Sequence, residues 1–252
     1  MMKQQLKYDI MEVCLLAGKI LLQNGAETYR VEDTMMRIAA SYGIPVSHSF
    51  VTPTGIIFSI ETDEPTKTKL IRISDRTTDL LKVTMVNRIS RRISEGKLTV
   101  KEAYDQLVQL ESSKMSFSIK TQLLAAAISS GCFLIMFRGG WEDFLPAMIT
   151  GGLGFLSFIL FHSYMSIKFF SEFLASMLIG LLAFVFVQTG YGTELDKIII
   201  GSVMPLVPGL LITNAVRDLM AGHLLSGLSK GAEAFLTSFA IGGGIAVVLT
   251  FL

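Results

Sequence analysis

Apolar and polar positions follow two different rhythms along the chain. Residues 7–23 place Ile10, Val13, Cys14, Ala17, Leu21 and Leu22 near one side of a helix, the spacing of an amphipathic segment. Asn24-Gly25 reads as its stop, and a second helix is expected over about 27–42, ending at Gly43 ahead of Pro45. Three short runs, 46–52, 55–61 and 68–73, are rich in β-formers and are separated by Pro53 and by Asp63-Glu64-Pro65, so they read as strands joined by turns. Two more helices are expected. One covers about 77–95 after Ser74-Asp75; the other covers about 100–111, where Thr99 and Glu102 have capping-box spacing. The order ααβββαα predicts a small α+β domain over 1–115, with 112–118 as a linker.

From Ser116 onward the pattern turns almost uniformly apolar. Five stretches, roughly 119–138, 143–164, 169–190, 195–216 and 231–252, reach the ~20 residues that a helix needs to cross a hydrocarbon core. No alternating ten-residue segments occur, which excludes a barrel, and lipid leaves helices as the remaining way to satisfy the backbone. The chain therefore reads as a multi-pass α-helical membrane protein of about five transmembrane helices over 116–252, preceded by an N-terminal cytoplasmic α+β domain. Gly151, Gly152 and Gly154, Gly242 to Gly244, and the Gly227/Gly231 pair read as close helix contacts. Their density points to a further membrane partner.

Composition sharpens this division. Of 252 residues 51% are hydrophobic and 17% charged, well below the roughly 25% charged of soluble proteins. Residues 1–115 hold 16 of the 22 Lys+Arg and 14 of the 21 Asp+Glu. A net charge of +1 leaves no surplus for a run of phosphates, so nucleic acid is not an expected partner. Two cysteines, Cys14 and Cys132, and three histidines offer no metal-ligand spacing; no metal and no cofactor is expected. The N-terminus, MMKQQLKYDI, has no apolar core of a signal peptide. Lys114, Lys120, Lys168, Arg217 and Lys230 fall on one side of the spans, against Arg138 and Lys197 on the other. The positive-inside rule then puts the N-terminus in the cytoplasm and the C-terminus outside.

The segment 205–233, PLVPGLLITNAVRDLMAGHLLSGLSKGAE, carries most of the candidate chemistry. Pro205 and Pro208 break the fourth span near its middle, ahead of Gly209 and Thr213. Such a break is tolerated only where freed carbonyls face protein or a watery cavity, and discontinuous helices build many transporter sites. Asn214, Arg217 and Asp218 share one helical face, and charge this close to a bilayer is a functional signal; the same residues also fit an ordinary interfacial loop. Glu172 and Glu233 sit within about a turn of the interface, where solvation explains them; Glu233, next to Lys230, is the better proton-carrier candidate of the two. Ser47-His48-Ser49 comes with no nucleophile elbow and no second histidine nearby, and no nucleophile–base–orienter set can be assembled, so an enzyme is not expected. Arg88, Arg91 and Arg92 read as a solvated helix face.

GAETYRVEDT at 25–34, VTPTGIIFSI at 51–60 and VPGLLITNAVRDLMAGHLLSG at 207–227 resemble the threonine/serine exporter family of bacterial membrane proteins. The chain resembles the longer subunit of its split form, a cytoplasmic domain plus five spans. The resemblance implies a secondary exporter of small polar metabolites, amino acids or dicarboxylates, driven by the proton gradient across the inner membrane and completed by a shorter membrane subunit. On the family pattern Pro208, Gly209, Thr213, Asn214, Arg217, Asp218, Gly222, Ser226, Gly227 and Glu233 match, as does GAExxRVE through Gly25, Glu27, Arg30 and Glu32. His223 stands where the family has an acidic residue, and Lys230 where arginine is common. A histidine in place of a carboxylate changes which ion could couple and what charge the solute could carry.

The expected substrate and translocation set is therefore Pro205, Pro208, Gly209, Thr213, Asn214, Arg217, Asp218, His223, Ser226 and Glu233, with a cytoplasmic-domain motif at Gly25, Glu27, Arg30 and Glu32. Arg217 would meet a carboxylate, Asn214 and Thr213 would hydrogen-bond the solute, and Asp218 or Glu233 would carry the proton. Expected partners are membrane lipid, a small-molecule substrate, the shorter subunit and further copies of this chain. The competing reading is a membrane-anchored ligand-binding regulator or sensor, for which five spans are more than an anchor needs.

Overall fold

The structure is a computed structural model that describes residues 2–61, 66–164, 167 and 169–251. The Asp63-Glu64-Pro65 turn and Lys168 lie outside the described residues. The chain divides into two compact units, Met1–Ser116 with Leu210–Gly231, and Phe117–Gly209 with Ala232–Leu252. The segment Leu210–Gly231, read from the sequence as part of the membrane half, packs inside the first unit.

In the first unit, α1 (Met2–Gln23) and α2 (Thr28–Ser41) lead into strands β1 (Ser47–Thr52), β2 (Gly55–Ile60) and β3 (Lys67–Arg72), then α3 (Leu80–Ser94) and α4 (Val100–Ser112). The strands form an antiparallel meander, with Val51 opposite Ile56 and Ile57 opposite Leu70. Val51, Ile56, Phe58 and Ile60 point into the core. The helix α1 was expected to bury one face; instead Met11, Leu15 and Ile20 are buried together with Ile10, Val13, Cys14, Ala17 and Leu21. It is the central helix, with α2, α3, α4 and β2 all packed on it. Burial pushes the Cys14 thiol well above its ordinary range, as suits an inert core residue.

Local signals explain most boundaries. The Asn24 side-chain amide donates to the Ile20 carbonyl, and Gly25 takes φ +93°, a conformation only glycine adopts freely. Thr99 and Glu102 form the expected reciprocal cap of α4. The helix α3 begins later than the sequence suggested, because Thr77 and Asp79 donate their backbone N–H groups to the Gln23 and Asn24 carbonyls at 2.7 and 3.2 Å. Those bonds hold the stretch before α3 out of helical conformation, and Asp79 caps the helix by accepting from Leu81 and Lys82.

The second unit contains α5 (Ile119–Met136), α6 (Phe144–Tyr164), α7 (Phe170–Gln188), α8 (Leu195–Val203) and the greater part of α10 (Leu224–Phe251). Four of the described helices are long and apolar enough to cross a membrane, five when α8 and α9 (Gly209–Met220) count as one interrupted span. The interruption falls at the two prolines: α8 passes into a 3₁₀ turn at Met204–Leu206, Val207 is extended, and helix resumes at Gly209. The Asp143 carboxylate, fully buried, accepts from the Thr193 N–H and hydroxyl and from the Glu194 N–H at 2.6–2.9 Å. It thereby caps the N-terminus of α8 from fifty residues away, a role no local motif announced.

Glycines let these helices touch. A Cβ on Gly244 would strike the Phe173 carbonyl oxygen and meet the Met177 nitrogen at 3.0 Å, whereas one on Gly242 would meet nothing within 4 Å. Gly244→Ala is expected to lower the melting temperature of the detergent-solubilised protein by several degrees, an overpacking cost of about 1–3 kcal/mol. Gly242→Ala should leave it unchanged or slightly raised, since alanine is the better helix former. Equal effects would show that the α7–α10 contact is not close.

Candidate functional site

The polar face of α9 is built as the sequence spacing implies, and its partners lie inside the first unit. Gly222, at φ +85°, turns the chain between α9 and α10, and the His223 N–H closes the turn on the Asp218 carbonyl at 2.9 Å. This hairpin brings Asn214, Arg217 and Asp218 together with His223, Ser226 and Lys230, and all six meet the segments 24–32 and 51.

At the centre, Asp218 is fully buried and accepts three hydrogen bonds. The Thr28 N–H and hydroxyl donate to its two oxygens at 2.9 Å each, and Lys230 Nζ donates at 2.7 Å. Lys230 also donates to the Thr28 hydroxyl at 3.1 Å, closing a triangle in which Thr28 and Lys230 are themselves buried. Thr28 is the first residue of α2, and the preceding Glu27 makes no side-chain cap. Asp218 therefore satisfies an orphan N–H and the positive end of the α2 dipole from 190 positions away. A buried ion pair is neutral at best against apolar packing, but removing one member strands the other charge.

Around this centre, Glu27 accepts from Arg217 at 2.6 Å through one oxygen and from Arg30 at 3.1 Å through the other. Asn214 donates its side-chain amide to the Gly25 carbonyl at 2.9 Å. Glu32 accepts the Val51 N–H at 2.8 Å and lies 3.7 Å from His223 Nδ1, while the Ser226 hydroxyl donates to the Val51 carbonyl at 3.0 Å. Two carboxylates are displaced in opposite senses. Burial raises the Glu27 pKa, but hydrogen bonds from its own backbone, Arg217 and Arg30 outweigh it and hold the group below its ordinary value. For Glu32 burial prevails over the Val51 hydrogen bond and the nearby His223, and the pKa is raised.

The structure thus gathers Gly25, Glu27, Arg30 and Glu32 with Asn214, Arg217, Asp218, His223 and Ser226. Thr213 is exposed on α9, and Pro205, Pro208, Gly209 and Glu233 belong to the second unit. Sequence reasoning missed Thr28 and gave Lys230 only a neighbour's role beside Glu233. A lone lysine opening a 28-residue apolar helix was the available signal, since lysine is almost never buried unless paired. Among the described residues no group of His, Cys, Asp or Glu is arranged to hold a metal ion.

The sign of each carboxylate shift gives a pH test. Glu27 stabilises the first unit above the ordinary glutamate pKa, and that contribution fades as pH falls through its lowered folded value. Glu32 behaves inversely: its contribution is complete below the ordinary value and fades as pH rises through the raised one. Thermal melts across this range should show Glu27→Gln flattening the acid limb and Glu32→Gln flattening the opposite trend. An acid limb unchanged by Glu27→Gln would contradict the pairing.

The family model described as "Putative threonine/serine exporter" matches residues 12–252. The chain is 26% identical over 246 residues to the "Probable succinate transporter subunit YjjP" of Klebsiella aerogenes, covering 96% of this chain and 93% of that protein. To the protein of the same name in Escherichia coli it is 25% identical, covering 99% and 97%. The "Threonine/serine exporter" of Corynebacterium glutamicum is 23% identical over 94% of this chain, which spans 50% of that longer protein. No solved structure shows a significant match. With the family pattern covering nearly every element described above, the chain belongs to the threonine/serine exporter family.

Proposed function

We propose that this chain is one subunit of a proton-driven secondary transporter that exports small carboxylate-bearing metabolites across the bacterial inner membrane, with residues 1–115 in the cytoplasm and its C-terminus outside. The observation that carries the reading is the interruption of the fourth apolar segment at Pro205–Gly209, directly ahead of the Asn214, Arg217 and Asp218 face. Freed carbonyls at membrane depth need protein or water beside them, and such broken helices form solute sites in secondary transporters. The relatives are named for threonine, serine or succinate, solutes that all carry a carboxylate. Their "subunit" names, and a Corynebacterium exporter about twice the matched length, support a second, shorter membrane chain as partner.

Within this reading the residues divide by what already engages them. Arg217 keeps 55% of its side chain exposed beyond its contact with Glu27, so it is the group that meets a solute carboxylate, with Thr213 beside it. Asn214, Ser226 and Asp218 hold the hairpin in place through their bonds to Gly25, Val51 and Thr28. Glu233 is then the proton carrier rather than Asp218, and His223 stands beside Glu32. Pro205, Pro208 and Gly209 keep the backbone open.

The test is efflux of labelled threonine, serine and succinate from cells that express the chain with its shorter partner. Arg217→Ala should cut efflux of the transported solute by more than tenfold, the scale for losing one hydrogen bond to a charged carboxylate, at unchanged expression and membrane level. Glu27→Gln leaves the guanidinium in place and should retain a larger share. Wild-type efflux from Arg217→Ala would contradict the assignment.

A further inference from the structure

A groove of about 430 Å³ runs between α5 and α6 in the second unit, lined among others by Lys120, Leu124 and Ala127 from α5 and by Leu145, Ile149 and Gly152 from α6. Its floor is a close approach: a Cβ on Gly152 would come within 3.2 Å of the Ala127 Cβ. Its walls are apolar and outward-facing, with Leu124 60% and Leu145 62% exposed. Among the described residues its charged lining residue is Lys120, exposed in the first turn of α5, where the positive end of an 18-residue helix adds to the ammonium.

From these features we infer that the α5–α6 groove binds one anionic phospholipid, with an acyl chain against Ala127 and Gly152 and the headgroup phosphate at Lys120. Length supports this occupant. Gly152 is level with Ala127, and Met148 with Gly131. The groove thus follows α5 from Lys120 to about Gly131, roughly 17 Å at 1.5 Å per residue, close to the ~15 Å depth of one leaflet. Volume supports it as well: a helix about 10 Å across over that length displaces on the order of 1000 Å³, so most of a partner helix would lie outside the groove, whereas an acyl chain fits within it. Charge decides the headgroup, because a lysine at the interface favours anionic over zwitterionic lipid.

The inference stands apart from export, and its test reads binding alone. Full-length protein in mild detergent is titrated with phosphatidylglycerol or phosphatidylcholine of the same acyl chains, and the first lipid retained is counted by native mass spectrometry. Wild type should retain phosphatidylglycerol about fivefold more tightly, the factor expected of one lysine near an anionic headgroup. Lys120→Gln should abolish that preference while leaving phosphatidylcholine binding as it was. Leu124→Trp, a change at an exposed rim position that fills the groove, should weaken retention of both lipids. No preference in wild type, a preference that survives Lys120→Gln, or release of phosphatidylglycerol when the shorter subunit is added would each overturn the assignment.

Discussion

The first unit depends on one buried charge pair. Asp218 and Lys230 lie on the two arms of a hairpin, and both converge on Thr28 at the start of α2. Neither charge reaches water, so each is tolerable only because the other is present and because Thr28 supplies a donor to one and an acceptor to the other. The geometry is self-consistent in a way a surface pair is not: the aspartate fills the vacant N-cap of α2, the lysine neutralises it, and the hydroxyl bridges them. Arg217 on Glu27, Asn214 on Gly25 and Ser226 on Val51 then follow as consequences of the hairpin being seated.

The same device recurs in the second unit, where buried Asp143 caps α8 through Thr193 and Glu194. In both places a helix that lacks a side-chain cap of its own receives one from a distant aspartate. This bears on the interrupted span. The helix α8 is short: Asp143 holds its start, and beyond Val203 the chain tightens into a 3₁₀ turn before Val207 extends.

Much of this was legible in the chain because it is local. The strands, the α4 capping box, the first three apolar spans and the proline break all depend on neighbours within a few residues, and each stands within a few positions of where spacing places it. The last apolar helix instead starts at Leu224, ahead of the expected 231, because the turn at Gly222 begins it early. The start of α3 was misplaced because Gln23 and Asn24, far back in sequence, capture the backbone ahead of it. The candidate site was legible as two separate motifs, GAETYRVE and TNAVRDL, but not as one object. No periodicity links Thr28 to Asp218, and the hairpin was read with the apolar segments that flank it. Lys230 in an apolar helix is the local sign of a buried acid.

The central claim is that the Asp218–Lys230–Thr28 triangle seats the hairpin on the first unit, and hydrogen exchange measures this most directly. In the wild-type protein the amides of Leu210–Gly231 and of the first turn of α2 should be protected. Asp218→Ala should speed exchange in both regions together, and Asp218→Asn with Lys230→Met, which removes both charges at similar volume, should restore much of the protection. Unprotected hairpin amides in wild type, or faster exchange in the hairpin with no change at Thr28, would contradict the account.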